Sequence, residues 1–148
     1  MIHFSTVLSN ALLATGSLKS LIDGGKIYVY SGPVPASGDA AVDGSCVLLD
    51  TITAAAGAGV TFNGAPSNGV LQKTAAETWS GNVATTGVAS FYRLCVGSDT
   101  GAAAAGAGNY RVQGTIGTDA SFDLVFASTA LTAGNAQPIN TYQLIIAQ

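Results

Sequence analysis

The chain has 148 residues, five basic and eight acidic side chains for a formal charge of −3, and charged residues at only 9% of positions. That length fits one domain with a core of its own, and five scattered basic residues exclude the basic stripe that nucleic-acid binding needs. Two cysteines and a single histidine are too few for a metal site, and about 25% charged residues is usual for a soluble domain, so the sparse charge suits a surface largely covered by partners.

Residues 4–22 are the one helical stretch. Phe4, Val7, Leu8, Ala11 and Leu12 share one face at helical spacing, and Ser5 or Thr6 is placed to cap its start. Gly16 breaks it; Leu18, Leu21 and Ile22 suggest a further turn ended by Gly24 and Gly25. The apolar face either packs on its own domain or docks on a neighbouring subunit. Residues 1–25 are therefore set apart as an N-terminal helical arm, followed by a single globular β domain over 26–148. No positive leader region precedes an unbroken apolar run, and no stretch of about 18 apolar residues occurs, so neither a signal peptide nor a membrane span is expected.

The next segment alternates. Ile27 and Val29 face one way, Tyr28 and Tyr30 the other, so both faces of this strand are expected to be covered. Residues 32–44, with Pro33 and Pro35, read as an irregular surface excursion. Residues 46–53 read as a second strand and 60–62 as a short third. Asn63-Gly64, Pro66 and Asn68-Gly69 are turn signals, and a strand resumes at Val70 and Leu71. Residues 78–96 hold the only Trp and read as two strands joined through Thr85, Thr86 and Gly87, in the centre of a sheet.

Residues 98–109 are a Gly-Ala run without an anchoring side chain and read as a mobile loop. In 110–116, Tyr110, Val112 and Ile116 point inward and Arg111, Gln113 and Thr115 outward. Phe122, Leu124 and Phe126 share a face, as do Tyr142, Leu144 and Ile146 near the end. About eight strands at short spacing, without helices between them, give an all-β fold. The expected architecture is a jelly-roll-like two-sheet β-sandwich with a short N-terminal helical segment.

Catalytic chemistry is not visible, and no catalytic, cofactor-binding or metal-binding residues are assigned. Asp39 and Asp43 lack the order of a calcium loop, and His3 lies near a chain end. Glu77 and Asp123 are not placed together by any pattern, and Trp79 reads as core rather than as a platform for sugars. Cys46 and Cys95 read as free buried thiols in preference to a disulfide. Arg93 sits mid-strand on a largely apolar face, so it must be paired or capped by carbonyls. An internal acid such as Asp50 or Asp123 is the first expectation for its partner, and an interface with a neighbour the second.

Several blocks occur in a recognisable order: Ile27-Tyr-Val-Tyr-Ser-Gly-Pro-Val-Pro-Ala-Ser-Gly-Asp-Ala-Ala41, Leu48-Leu-Asp-Thr-Ile52, Val60-Thr-Phe62, Leu71-Gln-Lys73, Glu77-Thr-Trp-Ser-Gly81, Thr86-Gly-Val-Ala-Ser-Phe-Tyr-Arg-Leu94 and Arg111-Val-Gln-Gly-Thr-Ile-Gly117. In these the chain resembles a family of small virion structural proteins of tailed bacteriophages. The likeness runs from about residue 5 onward and departs in the loop from Gly101 to Gly108. Within that group the size and strand content are most similar to jelly-roll capsid cement, or decoration, proteins.

The resemblance implies a non-enzymatic protein on the virion capsid surface, assembled in the host cytoplasm. It would bind the assembled shell and bridge neighbouring major capsid protein subunits, as a dimer or trimer, without cofactor, nucleic acid or membrane. A tail, neck or fibre role is the alternative, and a carbohydrate-binding or adhesion module a second one. Candidate contacts are Ile2, Phe4, Val7 and Leu8 in the arm, Pro33, Pro35 and Asp39 in the first loop, and Asn109 in the second.

Overall fold

A computed structural model describes residues 1–145 and shows an all-β sandwich with a short helical N-terminal segment. The segments in chain order are β1 (His3–Phe4), α1 (Thr6–Ala14), α2 (Leu18–Ile22), β2 (Lys26–Tyr30), β3 (Leu48–Ile52), β4 (Val70–Gln72), β5 (Trp79–Asn82), β6 (Gly87–Val88), β7 (Phe91–Cys95), β8 (Arg111–Gly117), β9 (Leu124–Val125), β10 (Ala130–Leu131), β11 (Ala136–Ile139) and β12 (Gln143–Ile145). Eight of the strands have three residues or more; β1, β6, β9 and β10 are two-residue pieces.

The main sheet runs β1-β8-β7-β2-β3, with β9 added parallel to β8. β7 lies at its centre, between β2 and β8, and all five of its side chains are buried. The second layer consists of three antiparallel pairs, β4–β12, β5–β11 and β6–β10. Between the layers lies the larger core: Ile27, Val29, Tyr92, Leu94, Val112 and Ile116 from the main sheet meet Leu71, Trp79, Leu131, Ile139 and Leu144. Trp79, at 0% exposure, packs edge-on against Phe62 with ring centroids 5.4 Å apart. Its indole N–H donates to the Glu77 carboxylate at 2.7 Å, which satisfies the one polar atom that burial would otherwise strand.

The expected hairpin over residues 78–96 does not form. β5 pairs instead with β11 within the second layer, in register from Trp79↔Ile139 to Asn82↔Ala136. Residues 83–90 carry the chain between layers: the Ala84 and Thr85 N–H groups donate to the Leu49 carbonyl, and Gly87–Val88 pairs with Ala130–Leu131. Phe62 and Val60 make isolated bridges rather than a third strand, and strand pairing of β3 begins at Leu48, leaving Cys46 in the loop. Ile146 falls outside the described residues.

The N-terminal segment is part of the domain. β1 pairs with β8 through His3↔Gln113 and Phe4↔Val112. Ser5 joins three elements: its N–H donates to the Arg111 carbonyl at 3.0 Å, and its hydroxyl caps α1 by accepting from the Leu8 N–H at 3.3 Å and also accepts from the Arg111 N–H at 3.2 Å. Leu8, Leu18 and Ile22 from the two helices belong to the interlayer core. Leu8 is thus corrected as a partner contact: at 0% exposure it has no surface to offer. Replacing Leu8 by Ala is expected to cost about 2–5 kcal/mol in urea unfolding, whereas a freely hanging arm would lose almost nothing.

Candidate partner-facing surface

The outer face of the main sheet is the unusual one. Strand alternation sends Tyr28, Tyr30, Phe91, Arg93, Cys95, Arg111 and Gln113 away from the interlayer core, and a single-domain sandwich would leave such a face to water. Here all seven are buried. Two loops, residues 31–47 and 96–110, fold across them, and the polar side chains of the sheet hold the loops in place.

Arg111 is the main clasp. Its guanidinium makes a two-point pair with Asp99, Nε to Oδ2 at 2.6 Å and Nη2 to Oδ1 at 2.8 Å, while Nη1 donates to the Ala103 carbonyl at 2.8 Å and the Gly38 carbonyl at 3.3 Å. One side chain therefore ties the second loop and the first loop to β8. The pair is almost closed to solvent, at 1% and 6% side-chain exposure, so it acts in a low-dielectric setting where both geometry and desolvation are large effects. Burial alone raises the Asp99 carboxyl, but the hydrogen bonds from Arg111 and the Gly101 N–H, with the Arg111 charge, outweigh it and hold Asp99 below the usual carboxylate range.

Arg93 is the second clasp, and it has no acid in hydrogen-bond contact. Its Nε and Nη2 donate to the Gln113 side-chain oxygen at 2.9 and 2.8 Å, Nη2 also to the Ser37 carbonyl at 3.1 Å, and Nη1 to the Gly101 carbonyl. Gln113 completes the set by donating to the Pro35 carbonyl at 2.7 Å. Gly101 lies so close over the sheet, with φ of +73°, that a Cβ there would sit 2.8 Å from the Cys95 sulfur. Only a glycine lets the loop backbone approach that far. Asp50 and Asp123 are not the partners of Arg93. Asp123 accepts from the Thr115 N–H and hydroxyl, both at 2.9 Å, on the far side of β8.

The sequence-derived contact residues divide accordingly. Asp39 caps α1 from outside, accepting from the Thr6 N–H at 2.9 Å and the Thr6 hydroxyl at 2.7 Å. Asn109 gives its carbonyl to the Ser5 hydroxyl at 2.9 Å, and Pro35 gives its carbonyl to Gln113. Asp39, Pro35 and Asn109 thus have internal duties and are half-buried, as are Ile2, Phe4 and Val7; Pro33 alone is fully exposed. Asp43 caps its own turn through Ser45 and shares no site with Asp39. The second loop, expected to be unanchored, is held through its own carbonyls at Gly101 and Ala103.

The loops also present apolar side chains outward, beside the exposed Asp43, Ser45, Ser98 and Thr100. Ser31 N–H donates to the Val47 carbonyl at 2.9 Å and the Cys46 thiol to the Pro33 carbonyl at 3.4 Å, joining the two arms of the first loop. Val34, Val47 and Leu48 are among the exposed large apolar side chains on or beside these arms. Cys46 and Cys95 are free thiols, and burial pushes Cys95 up to about 12, so it is inert at neutral pH.

Charge is sparse at the exterior. Both arginines and Asp50 are buried, the three lysines and five of the acids are half-buried, and Asp43 and Asp119 are the only fully exposed charged side chains among the thirteen. Among the described residues there is no cluster of three or more His, Cys, Asp or Glu able to hold a metal, and no helix long and apolar enough to cross a membrane. His3 is exposed on β1. Comparison with protein-family models, with curated proteins and with solved structures gave no match.

Proposed function

We propose that this chain is a non-catalytic virion structural protein that cements a capsid shell, binding the assembled lattice and bridging neighbouring major capsid protein subunits. The observation that carries the reading is the exterior: two fully exposed charged side chains on a 148-residue protein. A solitary soluble domain needs charge to stay dispersed, whereas a surface seated against neighbours does not. The buried clasps support the same reading. They convert a loop with two prolines and a Gly-Ala loop into a fixed surface, so little ordering entropy is lost on docking. A protein that binds the assembled shell and not the free subunits stabilises the shell by mass action, and many copies make modest contacts add up.

The apolar arms of the first loop are the first contact to test. Val34→Asp with Val47→Asp places two charges on exposed positions, so folding is expected to be unchanged by thermal melt. Co-sedimentation with shells is expected to fall by roughly tenfold or more, since each buried unpaired charge costs well over 1 kcal/mol. Undiminished co-sedimentation removes this face from the contact. A tail, neck or fibre role is the outcome indicated by a low copy number and a ring-shaped oligomer.

A further inference from the structure

A cleft of about 650 Å³ opens between β9 of the main sheet and the β4–β12 pair of the second layer, and no residue of the two clasped loops lines it. Its lining includes Phe122, Gln72, Asn140, Gln143, Lys73 and Asp123. The volume is in the range of small-ligand sites, and the chemistry of the walls is specific. Phe122, 39% exposed, is the most exposed aromatic side chain of the described residues. Its ring rests on the bare backbone of Gly117, where a Cβ would lie 2.0 Å from a ring carbon. The ring is therefore held from one side and turned to the cleft on the other.

The rim is made of amides. Gln72, Asn140 and Gln143 are exposed, and none of their side chains makes a hydrogen bond within the described residues. Each carries a donor pair and an acceptor on one planar group, which matches adjacent hydroxyls on a ring. The two charged groups are of opposite sign and already engaged. The Lys73 ammonium donates to the Thr74 carbonyl at 3.2 Å and to the Glu77 carbonyl, and lies 5.5 Å from the Trp79 ring centre. Asp123 is taken up by Thr115 and by the N-terminal ammonium of Met1, 2.9 Å from its Oδ2. The charges at the cleft are thus already engaged within the protein.

An apolar aromatic surface beside unengaged amides, with the nearby charges already engaged, suits a molecule with one C–H face and a rim of hydroxyls. We propose that this cleft binds a neutral saccharide, with a pyranose ring stacked on Phe122 and its hydroxyls paired with Asn140, Gln72 and Gln143. Trp79, which reads from the sequence as core and not as a sugar platform, lies wholly inside the core. The site is separate from the clasped face and goes beyond the cementing reading: it would give a shell-mounted protein a hold on glycan-coated surfaces.

The test is ligand-observed saturation-transfer NMR of the full chain against a panel of neutral mono- and oligosaccharides, with sialylated and sulfated counterparts. Transfer to ring C–H protons of at least one neutral sugar is expected. Phe122→Ala is expected to abolish it. Asn140→Ala, at an exposed position without internal bonds, is expected to weaken it roughly fivefold, the worth of one hydrogen bond, with an unchanged melting curve. If Phe122→Ala fails to fold, the double variant Asn140→Ala with Gln143→Ala decides. No binding of any neutral sugar at millimolar concentration overturns the proposal. So does binding that survives the amide variants, or a preference for the charged counterparts. Shell co-sedimentation is read separately, so failure here leaves the cementing reading standing or falling on its own assay.

Discussion

Asp50→Asn is expected to abolish a decline in stability that the parent protein shows as pH rises from 5 to 8. Asp50 pairs with Val29 across β3 and β2, and a register shift between Val29 and Tyr30 lets both Leu49 and Asp50 face the interlayer core. The carboxylate is 1% exposed, and neither of its oxygens has a hydrogen-bond partner. Gly81 lies directly against it: a Cβ on Gly81 would stand 2.2 Å from Oδ1. Burial raises the carboxyl to about 6 from 3.8, with the nearby Thr51 N–H offsetting part of the effect. A group whose folded value is raised holds its proton more tightly when folded. Its stability contribution is complete below 3.8 and is lost as pH climbs through about 6.

The full loss is about 3 kcal/mol, from roughly two pKa units at 1.36 kcal/mol each, and about half of it falls between pH 5 and 8. An Asn in the same place is neutral throughout. The parent is thus expected to lose roughly 3–6 °C of melting temperature over that interval relative to the variant. Parallel pH curves for the two proteins contradict a buried, unpartnered carboxylate at this position. Asp99 runs in the opposite sense. Its lowered value adds stability above about pH 4, which is lost as the medium becomes more acid, so these two groups together set an expected optimum near pH 4.

Arg111→Met is expected to be the most damaging single change in the outer layer. It leaves Asp99 buried without its partner and strips the Ala103 and Gly38 carbonyls of their donor. Removing one member of a buried pair costs about 3–5 kcal/mol, a large part of the 5–15 kcal/mol typical of a whole domain. Melting is expected to drop by roughly 10 °C, and proteolytic nicking is expected to appear first within residues 33–42 and 98–109. The double variant Arg111→Met with Asp99→Leu removes the stranded charge and is expected to regain much of the loss. A cost under about 1 kcal/mol for the single variant would place the pair in the class of weak surface bridges and dissolve the case for fixed loops.

The layer between the sheets was legible in the sequence because it is written in side chains. The alternation of Ile27 and Val29 with Tyr28 and Tyr30 placed β2 with both faces covered, and both are. The apolar run around Phe91 placed β7 at the sheet centre. Ser5 was readable as a cap because a hydroxyl ahead of an apolar helical face has that use.

The outer layer was not legible for an equally physical reason. Arg111 and Gln113 were read as outward, which is correct for the strand, but the covering loops bind through the carbonyls of Pro35, Ser37, Gly38, Gly101 and Ala103. A carbonyl is common to every residue and leaves no trace in composition. The pairing of β5 with β11 joins segments more than fifty positions apart, and nothing in local periodicity selects one distant edge over another. Asp50 was hidden by the register shift, since strict alternation gives no sign that two successive residues face the same way.

The cementing proposal rests on a fixed, sparsely charged exterior meant for neighbours. Its most direct test is to count this chain in purified particles by quantitative mass spectrometry and to locate it by electron cryomicroscopy. The expected result is a fixed ratio to the major capsid protein, with the face carrying Val34, Val47 and Leu48 seated on the shell. Absence from the particle, or a dispersed monomer that turns over a substrate, contradicts it.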